Sequence, residues 1–221
     1  MKWLSIWWYN LKYLIRHEKL VIIVGIIYSA IIITINLSSY FRGLYIAKTA
    51  GESVYDLFTG NVTLIIISVI AVILYTSDIA NSSYNYIRMR PINPVMYAII
   101  KIVNIWIIIS IMTTVIYLSD SLFIGKFALK YLVIVILTLL NISVVTSSIG
   151  SLFSDRRTAI IITLAYSGLS TSLHTMFLNN TVASWLKTLS MLAPMYEAIP
   201  IIGIVLLMLL IIKELRRNIR A

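Results

Sequence analysis

Long apolar runs separated by short polar segments constrain this 221-residue chain more than any other feature. A run of about 20 apolar residues is what an α-helix needs to cross roughly 30 Å of hydrocarbon. The runs fall at 20–37, 61–80, 95–118, 127–153, 158–177 and 194–212. Inside lipid, backbone N–H and C=O groups must bond within the chain, and a helix achieves this within one segment. The expectation is an all-α membrane protein, a single polytopic domain of six transmembrane helices. The last run is short, and Pro194 and Pro200 place its start in the first helical turns, where a missing amide donor costs least. Only 12% of residues are charged, against about 25% in soluble domains.

The net charge of +10 first suggests nucleic acid. Its distribution argues otherwise, since Lys and Arg collect on the cytoplasmic side of membrane proteins. With the N-terminus inside, the inner side holds 13 of the 18 cations: Lys2, Lys12, Arg16, Lys19, Arg88, Arg90, Lys101, Arg156, Arg157, Lys213, Arg216, Arg217 and Arg220. The other five are Arg42, Lys48, Lys126, Lys130 and Lys187. Both termini are basic, which favours an even number of spans. The expected location is the plasma membrane, with both termini cytoplasmic and no nucleic-acid partner.

Residues 1–17 lack the compact apolar stretch and small-residue cleavage site of a signal peptide. Trp3, Trp7, Leu11 and Leu14 recur at helical spacing, flanked by Leu4, Trp8 and Ile15. Lys2, Ser5, Asn10, Lys12 and Arg16 are placed mostly off that stripe. This pattern predicts an interfacial amphipathic helix, with tryptophans at headgroup depth and cations toward phosphate. The alternative is a plain extension of the first membrane helix.

Several chemistries are excluded. There is no cysteine, hence no disulfide, thiol catalysis or Cys-ligated metal. No Gly-x-x-x-x-Gly-Lys-Ser/Thr or His-Glu-x-x-His string occurs. His17 and His174 fall on opposite sides of the predicted membrane and cannot share a metal. Ser167-Gly168-Leu169-Ser170 lacks the glycine pair of a nucleophile elbow. No charge lies at the centre of a span, as ion pumps usually require. Asn36, Asn104 and Asn141 are the notable polar side chains in or near spans, read as helix–helix hydrogen bonds or as the lining of a transport path.

The segment from Ser83 to Lys101 carries the most information. A stretch containing Tyr84, Tyr86, Arg88 and Arg90 precedes Pro91, which disfavours helix at Arg90 and forces a turn. Asn93 then suits an N-cap, and Pro94 suits the first helical position.

Arg90-Pro91-Ile92-Asn93 through Lys101 resembles the coupling segment of type-2 ABC exporter permeases. Ser147-Ser148-Ile149-Gly150-Ser151-Leu152-Phe153-Ser154-Asp155-Arg156-Arg157 is similar to their small-residue stretch, Leu-Phe pair and basic turn into the fifth helix. The N-terminal helix resembles their elbow helix, and residues 178–193 their re-entrant element. Ser82-Ser83 departs from the Gly-Thr often found in the family's coupling helix. The resemblance implies the membrane-spanning permease subunit of an exporter for a hydrophobic or amphipathic substrate. It implies separate ABC ATPase subunits as partners, and a second copy or sister permease. ATP would be used by those subunits, with no cofactor bound directly. Tyr84, Tyr86, Arg88, Arg90, Pro91, Asp155, Arg156 and Arg157 would then meet the ATPase. A non-transporting immunity or scaffold protein is the alternative, and an intramembrane hydrolase the third reading.

Overall fold

A computed structural model of the chain describes residues 2–41, 61–80, 94–124, 129–153 and 155–179, with positions 208, 209 and 212. Among these residues the fold is all-helical. The helices are α1 (Lys2–His17), α2 (Lys19–Phe41), α3 (Asn61–Ala80), α4 (Pro94–Ile124), α5 (Leu129–Leu152) and α6 (Arg156–Asn179). They cover five of the six apolar runs and the N-terminal segment. The expected sixth span and the re-entrant element lie largely or wholly outside the described residues.

Among the described residues, three helices contain stretches long and apolar enough to cross a membrane: Lys19–Ser38, Val95–Ser119 and Val135–Leu152. This supports a membrane protein. Thr63–Ser77 in α3 is a shorter apolar stretch. α4 is described from Pro94 onward, a residue whose fixed φ and absent N–H suit a first helical turn.

α3 is central, packing against α2, α4, α5 and α6. Leu64, Ala71, Val72 and Leu74 are fully buried in it. Its neighbours approach closely because small and hydroxylated residues line the contact. A Cβ on Gly150 of α5 would stand 2.7 Å from Tyr75 Cδ1 and 3.2 Å from Thr76 Cγ2. The hydroxyls mostly donate within their own helices: Thr76 to the Val72 carbonyl and Thr146 to the Ile142 carbonyl, both at 2.8 Å, and likewise Ser167 to Thr163. In lipid, where apolar surfaces gain little by meeting each other, small residues at the contact are a main source of helix association. α2 is peripheral. It leaves Ile23, Val24, Ile26, Ile27, Ile31 and Ile35 exposed.

α1 does not extend α2. Gly25 of α2 abuts Met112 of α4, where an added Cβ would meet the Met112 side chain at 2.7 Å. A straight continuation at 1.5 Å per residue would leave Trp7 and Asn104 on the order of 15 Å apart in height. Instead the Trp7 carbonyl lies 3.3 Å from Asn104 Nδ2. α1 therefore turns at Glu18 and lies across α4. The turn keeps helical bonding on both sides, with Glu18 N donating to the Leu14 carbonyl and Ile22 N to the Glu18 carbonyl.

Gly150→Val should lower stability by about 1–3 kcal/mol, the usual cost of forcing extra atoms into a packed contact. Gly168→Ala should change little, because nothing lies within 4 Å of the place its new methyl group would take. Thermal unfolding in detergent micelles checks both, and equal shifts would contradict the close α3–α5 contact.

Candidate functional site

The chemistry among the described residues gathers where α1, the start of α4 and the end of α3 meet, and at the neighbouring turn into α6. Lys101 is only 4% exposed. Its Nζ lies 5.0 Å from the Tyr75 ring centroid and 6.0 Å from that of Tyr97. Burying an ammonium is costly without compensation, and aromatic faces are one source of it. Tyr97 and Lys101 are one turn apart on α4, so they share a face. Lys101 thus belongs to the packed interior beneath α1, where the sequence suggests only a position near the headgroups.

One turn further along α4, Asn104 is fully buried. Its Nδ2 donates to Asn10 Oδ1 at 2.9 Å and to the Trp7 carbonyl. Asn10 Nδ2 in turn donates to the Tyr97 hydroxyl at 3.2 Å. Asn104 Oδ1 is buried with no hydrogen-bond partner. The chain Tyr97–Asn10–Asn104 fastens α1 to α4 through side chains, with Leu14 fully buried alongside. The sequence groups Asn10 with residues mostly off the apolar stripe; the structure buries it at the edge of that stripe.

A second tie joins the α1–α2 junction to α6. Arg156 donates to Glu18 Oε2 at 3.1 Å, with side-chain exposures of 29% and 7%. Asp155 caps α6. Its Oδ2 accepts from the Thr158 backbone N–H and hydroxyl, both at 2.9 Å. Those two bonds, the backbone one foremost, hold the Asp155 carboxyl below the usual carboxylate range, and the Arg157 charge adds to this. Arg157 is exposed. His17 stacks on Tyr13 at 4.0 Å, with its Nδ1 3.1 Å from the Tyr13 carbonyl.

Tyr84, Tyr86, Arg88, Arg90 and Pro91 lie outside the described residues. Asp155, Arg156 and Arg157 stand together at the α5–α6 turn, but each does something different. Asp155 caps, Arg156 is engaged by Glu18, and Arg157 faces outward. Asn36 and Asn141 are half-buried on α2 and α5. Asn104 is committed to α1. Sequence reasoning missed Asn10, Glu18, Tyr75 and Tyr97. Glu18 offered a signal, being the one acid in residues 1–51. Among the described residues no group of three or more His, Cys, Asp or Glu could hold a metal.

Arg156→Ala should destabilise more than Glu18→Ala. The first strands a buried carboxylate, while the second leaves a partly solvated cation. The loss for Arg156→Ala should be roughly 3 kcal/mol, the low end for broken buried pairs because Arg156 is partly wet. Chemical denaturation of the two variants and their double mutant measures this. For Asp155, a lowered folded pKa means its contribution is full above the unfolded value near 4 and disappears as pH falls through the folded one. The Tm difference between wild type and Asp155→Ala should therefore be largest above about pH 5 and shrink on acidification. Asp155→Asn, a cap that does not titrate, should lack that acid sensitivity. No protein-family model, curated protein or solved structure matches this chain.

Proposed function

We propose that this chain is the membrane-spanning permease subunit of an ATP-driven ABC exporter, moving a hydrophobic or amphipathic substrate such as a peptide, lipid or drug outward. Five further helices, one of them the last apolar run at 194–212, complete six spans with α4. The basic end of the bundle, bearing Lys12, Lys19, Arg156 and Arg157, faces the cytoplasm. α1 lies in the plane of the membrane at that face. The chain works as a dimer, with itself or a sister permease, and ATP is hydrolysed by separate subunits.

The observation that carries this reading is the length of α4. Its 31 residues rise about 46 Å, against about 30 Å of hydrocarbon. α1 crosses it between Tyr97 and Asn104. α4 is thus one rigid rod longer than the hydrocarbon, with its apolar span beginning at Val95, and the Arg88–Pro91 segment immediately precedes it in the chain. A force applied there passes through α4 to α1, and through Glu18 and Arg156 to α6. That is the mechanical requirement for coupling to a nucleotide-driven partner.

A non-transporting immunity or scaffold protein is the second reading. It is favoured by Asn104, which holds two helices together instead of lining a path. The two differ in the partner they require. Replacing Tyr86 and Arg88 together by alanine should weaken ATPase association by about thirtyfold or more, since one interface anchor is commonly worth 2 kcal/mol or more. Membrane insertion should persist, and export should fall. Lys126→Gln with Lys130→Gln serves as the control on the opposite side. Co-purification and export assays decide. Equal behaviour of the two double mutants, or no effect of the first on partner binding, removes the exporter assignment.

A further inference from the structure

The structure divides the surface of α1 into three sectors. Asn10, Leu14, Trp7 and Leu11 face the bundle, buried or partly so. At 3.6 residues per turn the next sector holds Leu4, Ile15 and Trp8, all at least half exposed. Beyond it come Lys12 and Arg16, also exposed, followed by Lys19 at the start of α2. An apolar strip and a cationic strip thus run side by side, both unoccupied by the described protein. Glu18, the acid between α1 and α2, is withdrawn from the surface by Arg156. Neither α1 nor α2 contains another acid, so the charge these two helices leave exposed is cationic.

We propose that this outward face of α1 is a binding surface for anionic phospholipid. Leu4, Trp8 and Ile15 rest against the upper acyl chains. Lys12, Arg16 and Lys19 reach the headgroup phosphates with their aliphatic stems lying over the apolar strip. The choice of lipid over an acidic protein follows from the pairing of strips. A tryptophan-containing apolar edge directly beside a basic one matches the boundary between hydrocarbon and headgroups. The inference rests on α1 lying in the membrane plane, and is independent of transport.

The full chain is reconstituted in phosphatidylcholine nanodiscs containing lipid brominated high on the acyl chain. The bromolipid is phosphatidylglycerol in one series and phosphatidylcholine in the other. The Trp8 contribution to fluorescence quenching is obtained by difference from Trp8→Phe. Wild type should be quenched more strongly by the anionic bromolipid at equal mole fraction. Each of Lys12→Gln, Arg16→Gln and Lys19→Gln should reduce that preference about fivefold, the effect of one cation near an anionic surface. Lys12→Arg should retain it. At 1 M salt, where the Debye length is about 3 Å, it should collapse. Equal quenching by both lipids in wild type overturns the proposal but leaves α1 in the membrane plane. Absence of Trp8 quenching by either lipid removes the membrane placement as well.

Discussion

A buried amine and two buried amides sit where three helices meet, and the arrangement of the basic end depends on the partners their donors find there. Lys101 lies against two aromatic rings, and Asn104 donates twice to α1. Neither could face hydrocarbon cheaply. Laying α1 across α4 resolves this, because α1 brings Asn10 and a backbone carbonyl to the same place. The cross-chain bonds also fix the register of α1, since a turn of slippage would leave Asn10 opposite no partner. The apolar contacts of Leu14 add to the fastening, but they would tolerate several orientations. The amides tolerate one.

The interior of the bundle follows a different rule. Between α3, α5 and α6 the packing is achieved by small side chains, with hydroxyls folded back onto their own helices. Ser77, Ser147 and Thr163 keep buried oxygens without partners. A hydroxyl that donates to the carbonyl four residues earlier demands nothing of its neighbour, so it behaves sterically like a slightly larger alanine. This lets Gly150 approach Tyr75, and Tyr75 in turn reaches Lys101. The close seam and the polar cluster are thus consecutive parts of one packed unit.

Much of this architecture was legible in the residues. Helical character follows from the apolar runs, and Pro94 suits the first turn of α4. The recurrence of aromatic and aliphatic residues over 3–15 likewise announces a helix. The partners could not be read. Periodicity places Asn10 within a sector, but only the path of the chain at Glu18 shows that this sector meets Asn104. Glu18 among cations reads as one charge in a solvated run, whereas its burial depends on a turn more than 130 residues later. Contacts between distant segments depend on crossing geometry, and periodicity within one segment carries none of it. For the same reason the predicted grouping of Asp155, Arg156 and Arg157 was legible as a location, but their separate duties were not.

The tie between Asn10 and Asn104 has a consequence in time. Ninety-four residues separate the partners. At roughly 5–20 residues per second of synthesis, Asn104 appears about 5–20 s after Asn10. Arg156, the partner of Glu18, comes later still. During that interval α1 has left the ribosome without the helix it will lie across. If α1 binds anionic lipid as proposed, its apolar and cationic strips hold it near the bilayer in that interval while its amide face remains wet. The same helix then exchanges water for α4 on one side without releasing the other. On that proposal, the order in which the chain is made matches the two kinds of surface α1 carries, one meeting lipid and the other needing the finished bundle.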